Sequence, residues 1–134
     1  MKKKVLFLCT GNSCRSQMAE AIVNSRLGER WEAFSAGTKS AGYVHPKALA
    51  ALVEIGILHE GRSKSVDEFL GKDFDLVVTL CDSAARECPA WLGKGKRVHH
   101  SYPDPSETDD MKDFRKVRDA MENEIISLLV NHAN

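Results

Sequence analysis

Residues 5–16 read Val5-Leu6-Phe7-Leu8-Cys9-Thr10-Gly11-Asn12-Ser13-Cys14-Arg15-Ser16. The first four are apolar and uninterrupted, which is typical of a strand buried on both faces of a parallel sheet. A helical pattern begins after Cys14, so the residues between join a strand to a helix. Gly11 and Asn12 tolerate a left-handed backbone at such a junction. These features predict a loop whose backbone N–H groups converge on an anion.

Cys9 and Arg15 stand at the two ends of this loop. The dipoles that favour a bound anion also favour a thiolate at Cys9, and the planar guanidinium of Arg15 can hold two oxygens of a tetrahedral oxyanion. Ser16 follows with a hydroxyl that can donate to the thiolate. Alternatively, Cys9 merely ends a strand and Arg15 is a solvated residue of the first helical turn. The Gly and Asn inside the loop favour the first interpretation, in which Cys9 is a nucleophile and Arg15 binds the oxyanion.

Strand and helix patterns alternate along the chain. Short apolar runs predict buried strands at residues 5–8 and 76–80, with weaker strand candidates at 33–36 and 97–99. Helical patterns occupy residues 18–27 (with Gly28 as a C-cap candidate), 48–55 (ending at Gly56) and 114–129 (after acidic residues 107–110). This alternation predicts a parallel α/β sandwich, in which ligands bind beyond the carboxyl ends of the strands. Cys9 and Cys81 both follow such strand ends, so we expect them at one edge of the sheet.

The composition limits the possible partners and compartment. The 134 residues suit one domain covering positions 1–134, and 19 basic residues balance 19 acidic ones. A net charge of zero gives no global attraction to nucleic acid or to anionic membranes. The N-terminal apolar run is shorter than the roughly 7–15 residues of a secretory signal, and no run is long enough to span a bilayer. We therefore expect a reducing, cytoplasmic setting, where cysteines act as catalytic, redox, metal-binding or buried thiols.

Asp104 is a candidate general acid. It lies in Tyr102-Pro103-Asp104-Pro105-Ser106, where two prolines restrict the backbone around the carboxylate. An oxygen leaves a tetrahedral oxyanion or its ester more easily when it leaves protonated. Alternatively, the Asp-Pro pair only forms a turn, but its combination with the Cys9 loop favours catalysis. The five histidines have no metal-ligand spacing with the cysteines, so no metal is predicted.

The stretch 5–16 closely resembles the phosphate-binding loop of low-molecular-weight tyrosine phosphatases and their arsenate-reductase relatives. Further landmarks at residues 34–38, 45–46 and 75–81 extend the resemblance over nearly the whole chain. It implies a four-stranded parallel sheet flanked by helices in a three-layer sandwich. It also implies that the loop Thr10–Ser16 binds the substrate, including Ser13 and Cys14, and that Asp104 supplies the proton.

Cys81 and Cys88 separate the two activities of this family. Alternatively, Cys81 only ends a strand and Cys88 is a small hydrophobic residue in a helix. A phosphatase needs neither thiol for its reaction. In a reductase, the resemblance implies that Cys9 attacks arsenate, Cys81 attacks Cys9 with release of arsenite, and Cys88 then attacks Cys81. The leading interpretation is arsenate reduction; the alternatives are a phosphatase with incidental cysteines and a non-catalytic oxyanion-binding or redox-sensing module.

The final disulfide requires a change of structure. Seven residues of helix span about 10 Å, whereas bridged Cα atoms lie within about 7 Å. We therefore predict that the segment from Cys81 to Cys88 is helical when reduced, favoured by Ala84 and Ala85, and unwinds on oxidation. Pro89 is expected to stop this helix from continuing unperturbed through Cys88.

The same resemblance suggests partners and cofactors. No cofactor is expected to be bound; thioredoxin or a similar thiol would supply electrons, with NADPH acting through thioredoxin reductase. Phosphate and sulfate are expected to compete with arsenate, and a monomer is expected. Some relatives bind potassium through an Asn, a Glu, a Ser and an Asp; Asn12, Glu20 and Ser35 match, but Lys64 or Ser65 takes the place of the aspartate, which argues against potassium activation. Cys14 is expected to serve packing, although it could form a protective disulfide with Cys9.

Overall fold

A computed structural model describes residues 2–88 and 96–132. Four strands and four helices alternate in the order β1 (Lys3–Cys9), α1 (Arg15–Arg26), β2 (Trp31–Gly37), α2 (Pro46–Val53), β3 (Leu76–Thr79), α3 (Asp82–Glu87), β4 (Lys96–His99) and α4 (Met111–His132). Within the described residues, two 3-10 helices, Val66–Phe69 and Pro105–Glu107, lie in the longer connections. All four predicted strands and all the predicted helical patterns are therefore present.

The four strands form one sheet in the order β2-β1-β3-β4, and every neighbouring pair is parallel. Cys9 is paired with Gly37, and Thr79 lies between Leu8 and His99, so the carboxyl ends of all four strands reach the same edge. This confirms the predicted four-stranded parallel sheet. It also places the connections after β1, β3 and β4 next to one another.

The central strands carry the core. Residues 5–9 of β1 and all of β3 are buried, whereas the edge strand β4 is largely exposed. Helices α1, α2 and α4 pack against one another, and α3 contacts β1 and β3. The largest fully buried side chains come from both strands and helices: Trp31, Phe7, Phe114, Leu6, Leu8, Met18 and Ile22 are among them. The weaker strand signal of residues 97–99 follows from this exposure.

Helix ends agree with the sequence except at Gly28. Gly56 has φ +82°, the left-handed conformation that suits a residue beyond a helix end. Asp110 caps α4, because its Oδ1 accepts from the N–H of Lys112 at 2.9 Å. The prediction that Gly28 caps α1 is wrong: Leu27 is the C-cap residue, and Gly28 is not left-handed. Its lack of a side chain instead permits a close approach, since a Cβ there would lie 2.4 Å from the Asn24 carbonyl oxygen.

Within residues 2–88 and 96–132, none of the helices combines the length and the apolar character that a bilayer crossing requires.

Candidate active site

The loop of residues 9–15 turns sharply above the end of β1, and Asn12 holds the turn. Asn12 is fully buried and left-handed, with φ +49°. Its Oδ1 accepts from the Lys64 N–H at 2.9 Å and from Gln17 Nε2 at 3.0 Å, while its Nδ2 donates to Ser16 Oγ at 2.7 Å. Each polar atom of the amide is thus bound, which offsets the cost of a left-handed non-glycine residue.

The end of β2 closes against this loop. A Cβ at Gly37 would lie 2.5 Å from the Thr10 carbonyl oxygen and 3.0 Å from the Asn12 nitrogen, so only glycine allows the loop to lie this close. Gly11 is not left-handed, although the sequence offered it equally with Asn12.

Cys9 lies at the floor of the loop with 2% of its surface exposed. Its Sγ is 2.9 Å from Ser16 Oγ. Because Ser16 Oγ already accepts a hydrogen bond from Asn12, its own proton is free to point at the sulfur. The Ser16 hydroxyl can therefore donate to the sulfur of Cys9 when this residue acts as a nucleophile.

Arg15 begins α1 and faces the connection after β4. Its Nη1 donates to the Tyr102 carbonyl at 3.0 Å, and its Nη2 lies 3.7 Å from Asp104 Oδ2. Asp104 Oδ1 accepts from both the backbone N–H and the hydroxyl of Ser106, at 3.0 and 2.7 Å. One carboxylate oxygen is therefore fixed by Ser106, and the other faces the guanidinium. Sequence analysis missed Ser106, although Asp-Pro-Ser is a typical side-chain-stabilised turn.

Cys9, Arg15 and Asp104 line one small cavity of about 150 Å³. Its other walls come from Gly11, Ser13, Cys14, Ala41, Tyr43, His45 and Ser106. Typical sites for drug-sized ligands are larger, about 300–1,000 Å³, so the cavity suits a small tetrahedral anion. Of the predicted anion-binding loop, Thr10, Asn12 and Ser16 are not part of this lining; Asn12 and Ser16 support the loop from behind.

Cys81 reaches the same edge of the sheet, as its position after β3 predicts. Its side chain is buried, and its Sγ lies 3.3 Å from the hydroxyl of Thr10, the residue next to Cys9. Cys81 is the N-cap residue of α3 and Cys88 is the C-cap residue, so the whole short helix separates them. All four cysteines are free thiols. The expected effect of Pro89 lies outside the described residues.

Comparison with known proteins gives the family. The model of the low molecular weight phosphotyrosine protein phosphatase family matches residues 4–133. The chain belongs to this family. A relative named arsenate reductase, from Halalkalibacterium halodurans, is 48% identical over 124 residues, which cover 88% of each chain.

Solved structures of the family include both activities. A structure described as an arsenate reductase in the phosphate binding state matches with a TM-score of 0.82 and 31% identity, over 96% of this chain and 98% of that one. A low molecular weight protein tyrosine phosphatase from T. tengcongensis matches with a TM-score of 0.80 and 29% identity, over 97% and 99%. Reductases and phosphatases therefore share this fold. The two activities can be distinguished only by the side chains of the site.

Cys14 lines the cavity, and its thiol is buried. Burial, with smaller contributions from the negative charges of Asp104 and Cys9, raises the pKa of the Cys14 thiol to about 12. Cys14 thus stays protonated near neutral pH. It lines the cavity as a neutral wall.

Lys64 lies behind the loop, next to Glu20 and Ser35. Its ammonium donates to the Arg62 carbonyl at 2.9 Å and to Ser35 Oγ at 3.4 Å, and it lies 3.8 Å from Glu20 Oε1. Burial lowers the pKa of Lys64, partly offset by Glu20. Lys64, rather than Ser65, therefore places a cation among the side chains that match the potassium ligands. Among residues 2–88 and 96–132, no group of three or more His, Cys, Asp or Glu side chains is arranged to hold a metal ion.

His45 adds a contact that sequence analysis did not assign. Its N–H donates to the Ser13 carbonyl at 3.0 Å, its Nδ1 accepts from the Lys47 N–H, and its Nε2 lies 3.3 Å from Asp109 Oδ1. His45 thereby joins the anion loop to α2 and to the connection before α4. The signal was present, since a polar residue before Pro46 is typical of an N-cap.

Proposed function

We propose that this protein reduces arsenate to arsenite through Cys9, Cys81 and Cys88, acting in that order. The observation that carries the proposal is the position of Cys81, whose thiol lies 3.3 Å from the Thr10 hydroxyl within the loop that holds the nucleophile. Hydrolysis of a phosphoester has no use for a second thiol at this place. The 48% identity to a relative named arsenate reductase supports the same conclusion.

In the first step, the Cys9 thiolate attacks the arsenic of arsenate. An S–As bond forms, and one arsenate oxygen leaves as water once it has been protonated. Arg15 faces the same cavity and can bind two oxygens of the anion through its fork. Asp104 lines the same cavity, with its Oδ1 fixed by Ser106, and delivers the proton in this proposal.

In the second step, the Cys81 thiolate attacks the sulfur of Cys9. The S–As bond breaks, its electron pair stays with arsenic, and As(V) leaves as As(III) in arsenite. The two cysteines are left joined as a Cys9–Cys81 disulfide. Thr10 supports this step, because its hydroxyl lies beside the attacking sulfur and can donate to the thiolate.

In the third step, the Cys88 thiolate attacks Cys81 and frees Cys9 for another cycle. While α3 is folded, burial raises the pKa of the Cys88 thiol, an effect that Arg97 only partly offsets. Opening of α3 brings Cys88 within bonding distance of Cys81 and also removes this burial. The conformational change and the activation of the third thiol are therefore the same event.

A dithiol reductant must then reduce the Cys81–Cys88 disulfide. Thioredoxin, recharged by NADPH through thioredoxin reductase, supplies such electrons in the cytoplasm, where we place this protein as a monomer of one domain. No cofactor needs to be bound, because every electron passes through sulfur. Phosphate and sulfate share the geometry of arsenate and would compete for the cavity.

Phosphoester hydrolysis is the second candidate function. The trio of Cys9, Arg15 and Asp104 around one cavity serves that reaction equally well. Yet the cavity measures only about 150 Å³, and Tyr43 is the single tyrosine in its lining among the described residues. An aryl phosphate has little surface to stack on, so we expect hydrolysis to be slow.

The test is arsenite production from arsenate with thioredoxin, thioredoxin reductase and NADPH. We expect turnover in the wild type, and loss of turnover in both Cys81→Ser and Cys88→Ser. Both variants should still hydrolyse p-nitrophenyl phosphate, which serves as the control for an intact Cys9 loop. A wild type that makes no arsenite, or either variant turning over at the wild-type rate, would reject the relay.

A further inference from the structure

His99 binds the first residue of α3 from the end of the neighbouring strand. Its Nε2 lies 3.0 Å from Asp82 Oδ1, and its Nδ1 lies 2.7 Å from Thr79 Oγ1. Thr79 is buried in β3, whereas Asp82 is 74% exposed. Both ring nitrogens are thus hydrogen-bonded, one to a residue of the sheet and one to a residue of the helix. His99 connects the start of α3 to the rigid part of the fold.

The residues just before Asp82 are also held firmly. The N–H of Leu80 donates to the Leu8 carbonyl at 2.8 Å, and the Leu80 carbonyl accepts from the N–H of Tyr102 at 2.9 Å. Cys81 follows, with its thiol beside Thr10. Every residue from Thr79 to Asp82 therefore has a contact to β1, to β4 or to the loops that follow them.

At the other end of α3, the charged contacts between described residues are exposed to solvent. Ala84 is the only buried residue of α3, and near its end Glu87 lies 4.0 Å from Lys39. Lys39 is 75% exposed and Glu87 is 39% exposed, so solvent screens this pair. Arg86 contacts Ser83 at 3.4 Å, but that bond lies within the helix itself. Within residues 2–88 and 96–132, the six-residue helix is therefore held at its first turn by hydrogen bonds to the sheet, and near its last turn by one screened ion pair and the packing of half-buried Cys88.

We propose that His99 is a positioning residue of the relay, which holds Asp82, and with it Cys81, in place while α3 opens from its Cys88 end. This inference rests on the proposed function and specifies which part of the helix moves. Cys81 must remain beside Cys9 to attack it, and must then be met there by Cys88. The contact between His99 and Asp82 satisfies both requirements, because Cys88 moves towards Cys81 while Cys81 stays in place.

This contact acts on one step of the cycle. Attack of Cys9 on the anion does not involve α3, so loss of His99 leaves this step unchanged. Formation of the disulfides does depend on a fixed Cys81. Exposed polar contacts of this kind contribute up to about 1 kcal/mol, which corresponds to a roughly fivefold change in rate.

The experiment measures a single turnover of the intact protein without reductant. Arsenate is mixed with reduced enzyme, thiols are quenched by alkylation, and arsenite and the Cys81–Cys88 disulfide are counted by mass spectrometry. The variants are His99→Ala, Asp82→Ala, the double variant and Asp82→Asn, which keeps an oxygen for His99. Glu87→Gln is the matched control, since it breaks the contact at the opposite end of α3. Hydrolysis of p-nitrophenyl phosphate reports on the site around Cys9 without the later cysteines.

We expect His99→Ala and Asp82→Ala each to slow disulfide formation by roughly threefold to fivefold, with no further loss in the double variant. Asp82→Asn should recover much of the rate, and Glu87→Gln should match or exceed the wild type. Hydrolysis should stay within about twofold throughout. The proposed role of His99 would be wrong if the losses of rate in His99→Ala and Asp82→Ala added up in the double variant. It would also be wrong if Glu87→Gln slowed disulfide formation equally, or if His99→Ala formed the disulfide at the wild-type rate. A wild type that hydrolyses the ester but releases no arsenite would instead overturn the proposed function, and the role of His99 with it.

Discussion

At the scale of single residues, Asn12 determines the shape of the anion loop. The sequence predicts the loop and offers both Gly11 and Asn12 for its left-handed position. The structure selects Asn12, because its amide binds the backbone of Lys64, which lies 52 positions further along the chain. No local pattern contains that partner. Cys9, Arg15 and Asp104 could be predicted because their spacing and neighbours are local, whereas the supports of the loop could not.

Cys14 should be nearly inert in the folded protein. A pKa of about 12 leaves very little thiolate at pH 8, and only the thiolate reacts with an alkylating agent. We expect iodoacetamide to label Cys14 at least about a hundredfold more slowly than the same residue in the urea-unfolded chain, which is the control. Peptide mass spectrometry measures both rates. Equal rates in the two states would show that Cys14 is not a buried neutral thiol and would reopen its role in catalysis.

At the scale of elements, the described helices and strands appear where hydrophobic periodicity places them, but their ends depend on contacts. Gly28 illustrates this, since the pattern of a helix followed by glycine predicts a cap and the structure instead uses the glycine for a close approach to Asn24. The connection of residues 58–65 has no periodic pattern at all. It is ordered by contacts such as the bond from Ser63 Oγ to the Gly11 carbonyl, at 3.0 Å. Such contacts become visible only when the elements are assembled.

The contact between α2 and α4 should weaken in acid. Glu54, at the end of α2, accepts from Arg115 at 2.8 Å and from Arg118 at 2.7 Å. Hydrogen bonds from Arg115 and then Arg118 lower the pKa of the Glu54 carboxyl from 4.5 to about 2. A carboxyl whose pKa is lower in the folded state stabilises the fold above its unfolded pKa, and this stabilisation is lost as pH falls through the folded pKa.

We therefore expect the urea midpoint of the wild type to exceed that of Glu54→Gln at pH 7, and the gap to close as pH falls from about 4.5 towards 2. Urea titrations at four pH values measure the gap. Glu60→Gln, at an exposed position, is the control and should follow the wild type at each pH. A gap that does not change with pH would show that the charge of Glu54 does not stabilise the contact.

At the scale of the whole molecule, the parallel sheet was predictable because its two central strands are buried on both faces. The edge strand gave a weaker pattern, since solvent covers part of it. The approach of Cys81 to the loop that begins at Cys9 also followed from topology, as both residues follow strands that run in the same direction. The topology does not predict how far each side chain extends beyond the edge of the sheet. The contact between Thr10 and Cys81 depends on that distance.

Trp31 should contribute most to global stability among single side chains of β2. It is 1% exposed, and its ring packs 5.7 Å from that of His132 in α4. Trp31→Ala leaves a large cavity, and we expect it to lower the free energy of unfolding by about 3–5 kcal/mol. Leu58→Ala is the control, because Leu58 is 86% exposed and its loss should cost less than about 0.5 kcal/mol. Urea unfolding of both variants measures these losses. Similar losses in free energy of unfolding for the two variants would show that Trp31 is not a main part of the core.

The pairing of distant loops at one edge also governs how the protein acquires its activity. Thr10 meets Cys81 across 71 positions, and Arg15 meets Tyr102 across 87. Contacts between such distant positions form late, since the entropy of closing a long loop is lost before the contact is made. Helices can form early in refolding, but the anion site exists only after the last parallel strands have paired. A newly synthesised chain is therefore unable to capture arsenate until nearly all of it has folded.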